Sequence, residues 1–133
     1  MSCAERFTDF LNEKGLTFSS HVDEDGDTIV DFPYKGKIAK CIFTGDDDHY
    51  LSIYLQYENA PKEKLLDAII VCNELNAKFK WVKFYVDGDG DLMVQDDAIL
   101  SEENAADEAF ELLLRLFGIV GESKPAIMKA LYA

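Results

Sequence analysis

The sequence predicts an α+β protein: an antiparallel sheet of about five to six strands packed with helices, in the order α-ββββ-α-ββ-α-α. Three observations predict it. Strand-like runs follow one another through turns too short for a crossover, so neighbours must pair antiparallel. Apolar residues recur at helical spacing before, between and after these runs. The chain also repeats itself. Shifted by 64 positions, residues 11–30 fall on residues 75–94 with nine identities in twenty and no gap. Leu11, Asn12 and Lys14 match Leu75, Asn76 and Lys78. Val22, Asp23, Asp25, Gly26, Asp27 and Val30 match Val86, Asp87, Asp89, Gly90, Asp91 and Val94. Each copy reads as a helix end, a strand, an Asp-Gly turn and a second strand. Two hairpins with Asp-Gly turns in an Asp-rich chain also look alike without a duplication.

In order, residues 3–14 place Phe7, Phe10, Leu11 and Lys14 at helical spacing, and Gly15 stops this first helix. Residues 17–22 form a strand, and Asp25-Gly26 supplies a turn suited to positive φ. Thr28–Tyr34 alternates as the second strand, with Val30 and Phe32 on one face. Lys35-Gly36-Lys37 turns it into Ile38–Thr44, and Gly45-Asp46-Asp47-Asp48 leads on to His49–Tyr57. Pro61 opens a second helix over 62–78. There Leu65, Leu66, Ala68, Ile69, Ile70, Val71, Cys72 and Leu75 run most of the way round. Such a helix must be covered on nearly all sides, by the sheet on one and by the last helix or a second subunit on the other. Lys80–Val86 is the next strand, with Trp81, Lys83 and Tyr85 sharing a face, and Asp87–Asp91 turns it into Leu92–Gln95. Ser101 caps a third helix that carries Phe110, Leu113, Leu114 and Phe117 to Gly118 or Gly121. Glu102 and Glu103 complement its positive end. A short last helix follows Pro125, with Ile127, Met128 and Leu131.

With 133 residues, 48% hydrophobic and 12% aromatic, residues 1–133 read as one domain with a real core. No run of 18 apolar residues offers a membrane span. The start, MSCAERFTDFLNEKG, lacks the basic and apolar blocks of a signal peptide, so a cytoplasmic location is expected. Cys3, Cys41 and Cys72 are odd in number and far apart, and read as reduced thiols. The net charge of −13 disfavours nucleic acid and anionic membranes, because phosphates bind through cations. It suits high solubility or a basic partner segment.

The sharpest metal candidates are Asp87, Asp89 and Asp91, spaced like the first ligands of a calcium loop. The rest of that loop fails. Its sixth position has Leu92 instead of glycine, and its twelfth has Ala98 instead of glutamate. Asp23, Asp25 and Asp27 stand in the same way, and Asp46, Asp47 and Asp48 read as a charged loop tip. His21 and His49 lack companions at zinc spacing. No nucleophile elbow or phosphate loop is present, and no cofactor is expected. Tyr50, Tyr54, Trp81 and Tyr85 would share the sheet face away from the helices, a candidate surface for a protein or peptide partner.

The order of elements and several residues resemble the YbjN-like bacterial domain family, whose fold is similar to that of type III secretion chaperones. The residues that carry the likeness are Pro61, Lys62 and Glu63 at the entry to the second helix, and Asn73-Glu74-Leu75-Asn76 with Phe79 at its end. Asp89-Gly90-Asp91-Leu92, the Ser101 helix and the Pro125-Ala126-Ile127 tail follow. The likeness covers most of the chain. It implies a non-enzymatic, sensory or regulatory protein. It also implies an extended segment bound on the sheet and a homodimer built around the second helix. Leu66, Ile70 and Asn73 are the dimer candidates. Four strands before the second helix depart from the familiar pattern. The expected function is therefore a chaperone-like, protein-binding homodimer. The alternative is a domain binding a divalent cation or small ligand through the Asp-rich turns.

Overall fold

Capping sets where the chain first becomes regular. Ser2 Oγ accepts the Glu5 N–H and Glu5 Oε1 accepts the Ser2 N–H, both at 3.1 Å, in the computed structural model. This reciprocal box opens α1 (Cys3–Glu13). The structure describes residues 1–46 and 48–133. Asp47, part of the expected loop tip, lies outside them. Asp48, in the left-handed region at φ +49°, is no idle loop residue. Its two carboxylate oxygens accept the N–H groups of Cys3 and Ala4, each at 2.9 Å. A carboxylate on the free amides of a helix start satisfies them and complements the dipole. Asp48→Ala is expected to lower the unfolding free energy by about 1–2 kcal/mol, measured by urea denaturation.

Six strands follow: β1 (Ser19–Val22), β2 (Thr28–Tyr34), β3 (Lys37–Thr44), β4 (Tyr50–Asn59), β5 (Lys83–Val86) and β6 (Asp91–Ile99). A 3-10 turn, Lys62–Lys64, leads into α2 (Leu65–Lys78) between β4 and β5, and α3 (Ala105–Tyr132) closes the order. The sheet runs β1-β2-β3-β4-β6-β5, every neighbour antiparallel. This is the expected α+β architecture, with six strands.

The repeat is real in three dimensions. Asp23 N–H reaches Asp27 O and Gly26 N–H reaches Asp23 O, while Asp23 Oδ1 accepts from the amides of Asp25 and Asp27. Asp87, Asp89, Gly90 and Asp91 make the same four bonds. The ladders keep step as well: Val22 faces Thr28 as Val86 faces Leu92, and Ser20 faces Val30 as Phe84 faces Val94. Gly26 and Gly90 hold φ +86° and +81°, which only glycine takes readily.

Three boundaries differ from expectation. The two C-terminal helices are one, 28 residues long, running through Gly118, Gly121 and Pro125. Pro125 has no N–H to give to the Gly121 carbonyl. Burial of Val120, Ser123, Ile127 and Leu131 on both sides of it holds the helix together. The regular helix also begins after Ser101: Ser101 Oγ accepts the Asn104 N–H and Asn104 Oδ1 accepts the Ser101 N–H, ahead of Ala105. Strand β5 starts at Lys83, because Trp81 adopts φ +79°, incompatible with a strand. Strand β6 runs four residues past Gln95, carrying two adjacent acids into the sheet.

All three helices lie on one face. Phe7 and Leu11 of α1, Ala68, Val71 and Leu75 of α2, and Leu113, Leu116 and Ile127 of α3 are buried there. They meet Val30, Phe43, Leu51, Ile53, Phe84 and Val94 of the sheet. Asp96 occupies a core-facing position in this layer, paired across the ladder with Ile53 and only 2% exposed. Helix α2 is not covered on all sides within the chain: Leu66 and Ile69 are 69% and 54% exposed. Among the described residues, no helix is long and apolar enough to cross a membrane.

Candidate protein-interaction site

Alternation along the strands puts one set of side chains on the helix-free face. Asp31, Lys40, Tyr54, Gln95 and Lys83 line up across five strands in one row. Tyr85 Oη donates to Gln95 Oε1 at 3.0 Å, and Gln95 Nε2 donates to Asp97 Oδ1 at 3.0 Å. Ser52 Oγ also donates to Asp97 Oδ1, at 2.7 Å. Lys40 Nζ pairs with Asp31 Oδ1 at 3.0 Å. From Tyr85 through Gln95 and Asp97 to Ser52 each polar group fixes the next, so this part of the face is a set surface. Burial, and then Tyr54, Asp87 and Asp97 nearby, push the Tyr85 phenol up. It remains a hydrogen-bond donor at neutral pH.

Tyr50 sits at the end of the same face, opposite Thr44 and Ile99. It packs over Gly45, where an added Cβ would fall 2.7 Å from the Tyr50 ring. Glycine is needed there twice, for that contact and for its φ of +94°. Three of the four expected partner residues, Tyr50, Tyr54 and Tyr85, therefore share the open face. Trp81 does not. Its positive φ takes it out of β5, and its indole lies against Arg115 of α3, 5.1 Å from ring centroid to guanidinium carbon. It is 59% exposed on the helical side.

The expected dimer residues do come together. Leu66, Ile70 and Asn73 are exposed on the outer side of α2, where Ile69 extends the stripe. The spacing 66, 69, 70, 73 is one helical face, so Ile69 was readable from periodicity. The last turn of α2 carries, at an exposed position, a residue whose role is not readable in sequence. Asn76 Nδ2 donates to Phe84 O at 2.9 Å, and Asn76 Oδ1 accepts the Phe84 N–H at 2.7 Å. Phe84 lies on β5, the sheet edge. The amide thus caps backbone groups that an edge strand leaves open.

In the Asp-rich turns, ligand atoms of Asp87, Asp89 and Asp91 lie within 4.8 Å of one another, and so do those of Asp23, Asp25 and Asp27. The leading aspartate of each trio already spends one oxygen on two backbone amides. That Asx-turn geometry accounts for its presence. The Asp27 carboxyl is pushed up by desolvation, then by Asp23 and Asp25. His21 Nδ1 stands 3.9 Å from Asp31 of β2. Cys3, Cys41 and Cys72 are free and buried. Burial raises all three thiols, Cys72 to about 11, so none is a thiolate at neutral pH.

The family pattern that matches residues 4–123 is YbjN, described as "Putative bacterial sensory transduction regulator". The chain belongs to the YbjN family. No curated protein sequence matches it. Among solved structures it is similar to YbjN of E. coli, described as "a putative transcription regulator", with TM-score 0.61 and 16% identity over 91% of this chain and 93% of that one. An uncharacterised protein from Methanothermobacter thermautotrophicus gives TM-score 0.50 and 16% identity over 90% and 97%. The Yersinia pestis type III secretion chaperone SycH, solved with a stable fragment of YscM2, gives TM-score 0.49 and 12% identity over 89% and 99%. At these identities the YbjN likeness speaks for the fold.

Proposed function

We propose that this YbjN-family chain is a non-enzymatic, protein-binding regulatory domain that acts as a cytoplasmic homodimer. In this reading residues 1–133 form a single domain. The observation that carries it is the outer face of α2. Leu66, Ile69 and Ile70 present three large aliphatic side chains to water at 69%, 54% and 48% exposure on a helix whose inner side is fully packed. Exposed apolar area costs roughly 25 cal/mol per Å² relative to burial. A contiguous stripe of it on one helix is suited to meeting its own copy about a two-fold axis. Asn73 at the end of the stripe would supply a polar contact that fixes the register. The open sheet face, with Tyr50, Tyr54 and Tyr85 on a rigid polar lattice, is the proposed partner surface. The acidic balance of the chain favours a basic segment there. Trp81 belongs to a separate contact on the helical side.

Light scattering on a size-exclusion column tests the dimer. The expected mass is twice the 15.0 kDa of one chain, and Ile70→Glu is expected to halve it with an unchanged far-UV spectrum. A wild-type monomer at micromolar concentration would rule the dimer out.

A further inference from the structure

Thirteen lysines and arginines stand against twenty-six acids in this chain, yet three lysines line one cleft that, among the described residues, no carboxylate lines. The cleft encloses about 110 Å³ between the β2–β3 turn and the middle of α3. Lys35 and Lys37 rise from the turn, and Lys124 faces them from the helix. The walls are aromatic and fixed. Tyr34 stacks on Phe117 with centroids 3.9 Å apart and planes 3° from parallel, and Tyr57 is 6% exposed. Lys35 Nζ lies 5.3 Å from the Tyr34 ring centre, and Lys37 Nζ lies 5.2 Å from that of Tyr57. Glu58 Oε2 pairs with Lys37 at 3.9 Å while its Oε1 accepts the Tyr132 hydroxyl at 2.8 Å, so Lys35 and Lys124 are the lysines of the cleft without an ion pair among the described residues.

Two backbone choices keep the cleft as it is. Lys35 sits at φ +47°, ahead of Gly36 at +80°. A two-residue hairpin turn of this kind normally places Asn or Asp there, since a long side chain gains nothing from the left-handed region. On the other wall Gly121 lies inside a helix, where glycine is a poor choice, and an added Cβ would meet nothing within 4 Å. Easing the ring of Pro125 explains some of that tolerance. The consequence is the same: the helix carries no side chain where one would fill the cleft.

We propose that this cleft binds a small, doubly charged oxyanion on a short planar or apolar stem, with a phosphomonoester as the type. Lysine ammonium groups act as compact point charges and suit a concentrated anionic head, whereas a single flat carboxylate is better matched by an arginine fork. The partly exposed edge of the Tyr34 ring receives the stem, since its faces are covered by Phe117 and the Lys35 ammonium and Tyr57 is nearly buried. The site is apart from the α2 stripe, while Lys37 borders both this cleft and the sheet-face groove that holds Tyr54.

Phenyl phosphate, inorganic phosphate and succinate, each titrated into the full chain by calorimetry and by amide NMR shifts, test it. Phenyl phosphate is expected to saturate at one per chain, with shifts centred on residues 34–37, 57 and 120–124. Inorganic phosphate is expected to bind the same residues at least tenfold more weakly. Saturation by succinate at these residues as tight as by phenyl phosphate would overturn the assignment, because its two charges sit at opposite ends of the molecule and not on one head. The double variant Lys35→Ala with Lys124→Ala is expected to lose at least tenfold in affinity. Gly121→Leu, which fills the cleft while improving helix propensity, is expected to abolish binding without lowering thermal stability. The proposal fails if no probe saturates, if Gly121→Leu binds like the wild type, or if Lys80→Ala, a lysine elsewhere on the surface, weakens binding as much.

Discussion

Raising the pH from about 4 to about 8 is expected to destabilise this chain by several kcal/mol, and Asp96→Leu is expected to abolish most of that loss. Asp96 points from β6 into the layer beneath the helices, in the row that holds Val30, Cys41 and Ile53. Neither carboxylate oxygen has a hydrogen-bond partner among the described residues. An unpaired buried charge is far costlier than an unpaired buried acid. Desolvation, with a smaller contribution from Asp97, therefore pushes Asp96 up to about 8, from an ordinary value of 3.8. The side chains buried from α1, α2 and α3 are apolar apart from the thiols of Cys3 and Cys72 and the hydroxyl of Ser123, and Cys41 beside it is a raised thiol.

The sign follows from proton counting. Between the two pKa values the folded state keeps the Asp96 proton and the unfolded state has lost it. Stability then falls with rising pH by up to about 1.4 kcal/mol per unit, on the order of 5 kcal/mol in total. The favourable contribution is complete below the unfolded value and gone above the folded one. Urea unfolding at a series of pH values measures it. Parallel profiles for wild type and Asp96→Leu would show that Asp96 does not carry the effect.

The second large effect is expected at Asn76. Replacing it with alanine removes both bonds to the Phe84 backbone and leaves a part-buried strand edge without its cap. A destabilisation of about 2–3 kcal/mol is expected, since each bond contributes about 1 kcal/mol and unpaired backbone groups add a desolvation penalty. Hydrogen exchange at the Phe84 amide distinguishes this from a general loss. That amide is expected to lose protection first, ahead of the β3 and β4 amides. Retained Phe84 protection in Asn76→Ala would reject the clamp.

What the sequence revealed, and what it hid, follows from the range of the interactions. The strands from β1 to β4, the Asp-Gly turns and the 64-residue repeat depend on local alternation and on glycine at positive φ, so they were legible. The outer face of α2 was legible for the same reason, because helical spacing reports which side is apolar. Trp81 was misplaced because alternation carries no notice of a backbone reversal just before β5. Two acids after Gln95 mark an end to β6 in the sequence, yet the strand continues and Asp96 enters the core. Pro125 read as a boundary because its cost is local, while the burial that overrides it is made against elements distant in sequence, α2 among them. Asp48 and Asn76 act on backbone 45 and 8 residues away, and nothing in residue type names such partners. The repeat itself is only partly kept: Asn12 matches Asn76, but among the described residues no side-chain bond from Asn12 caps β1. The Tyr face was visible as a pattern, while its Gln95–Asp97–Ser52 bonds required the register.

Helix α3 has one more consequence, for biosynthesis. At 28 residues it is about 42 Å long. It roofs strands that are all translated before it. During synthesis the six strands can pair while the greasy underside they share still lacks its largest cover. That interval ends only once the residues around Ile127 and Leu131 have left the ribosome and docked. A nascent chain stalled near Pro125 would therefore be a client for folding helpers, whatever the finished molecule goes on to bind.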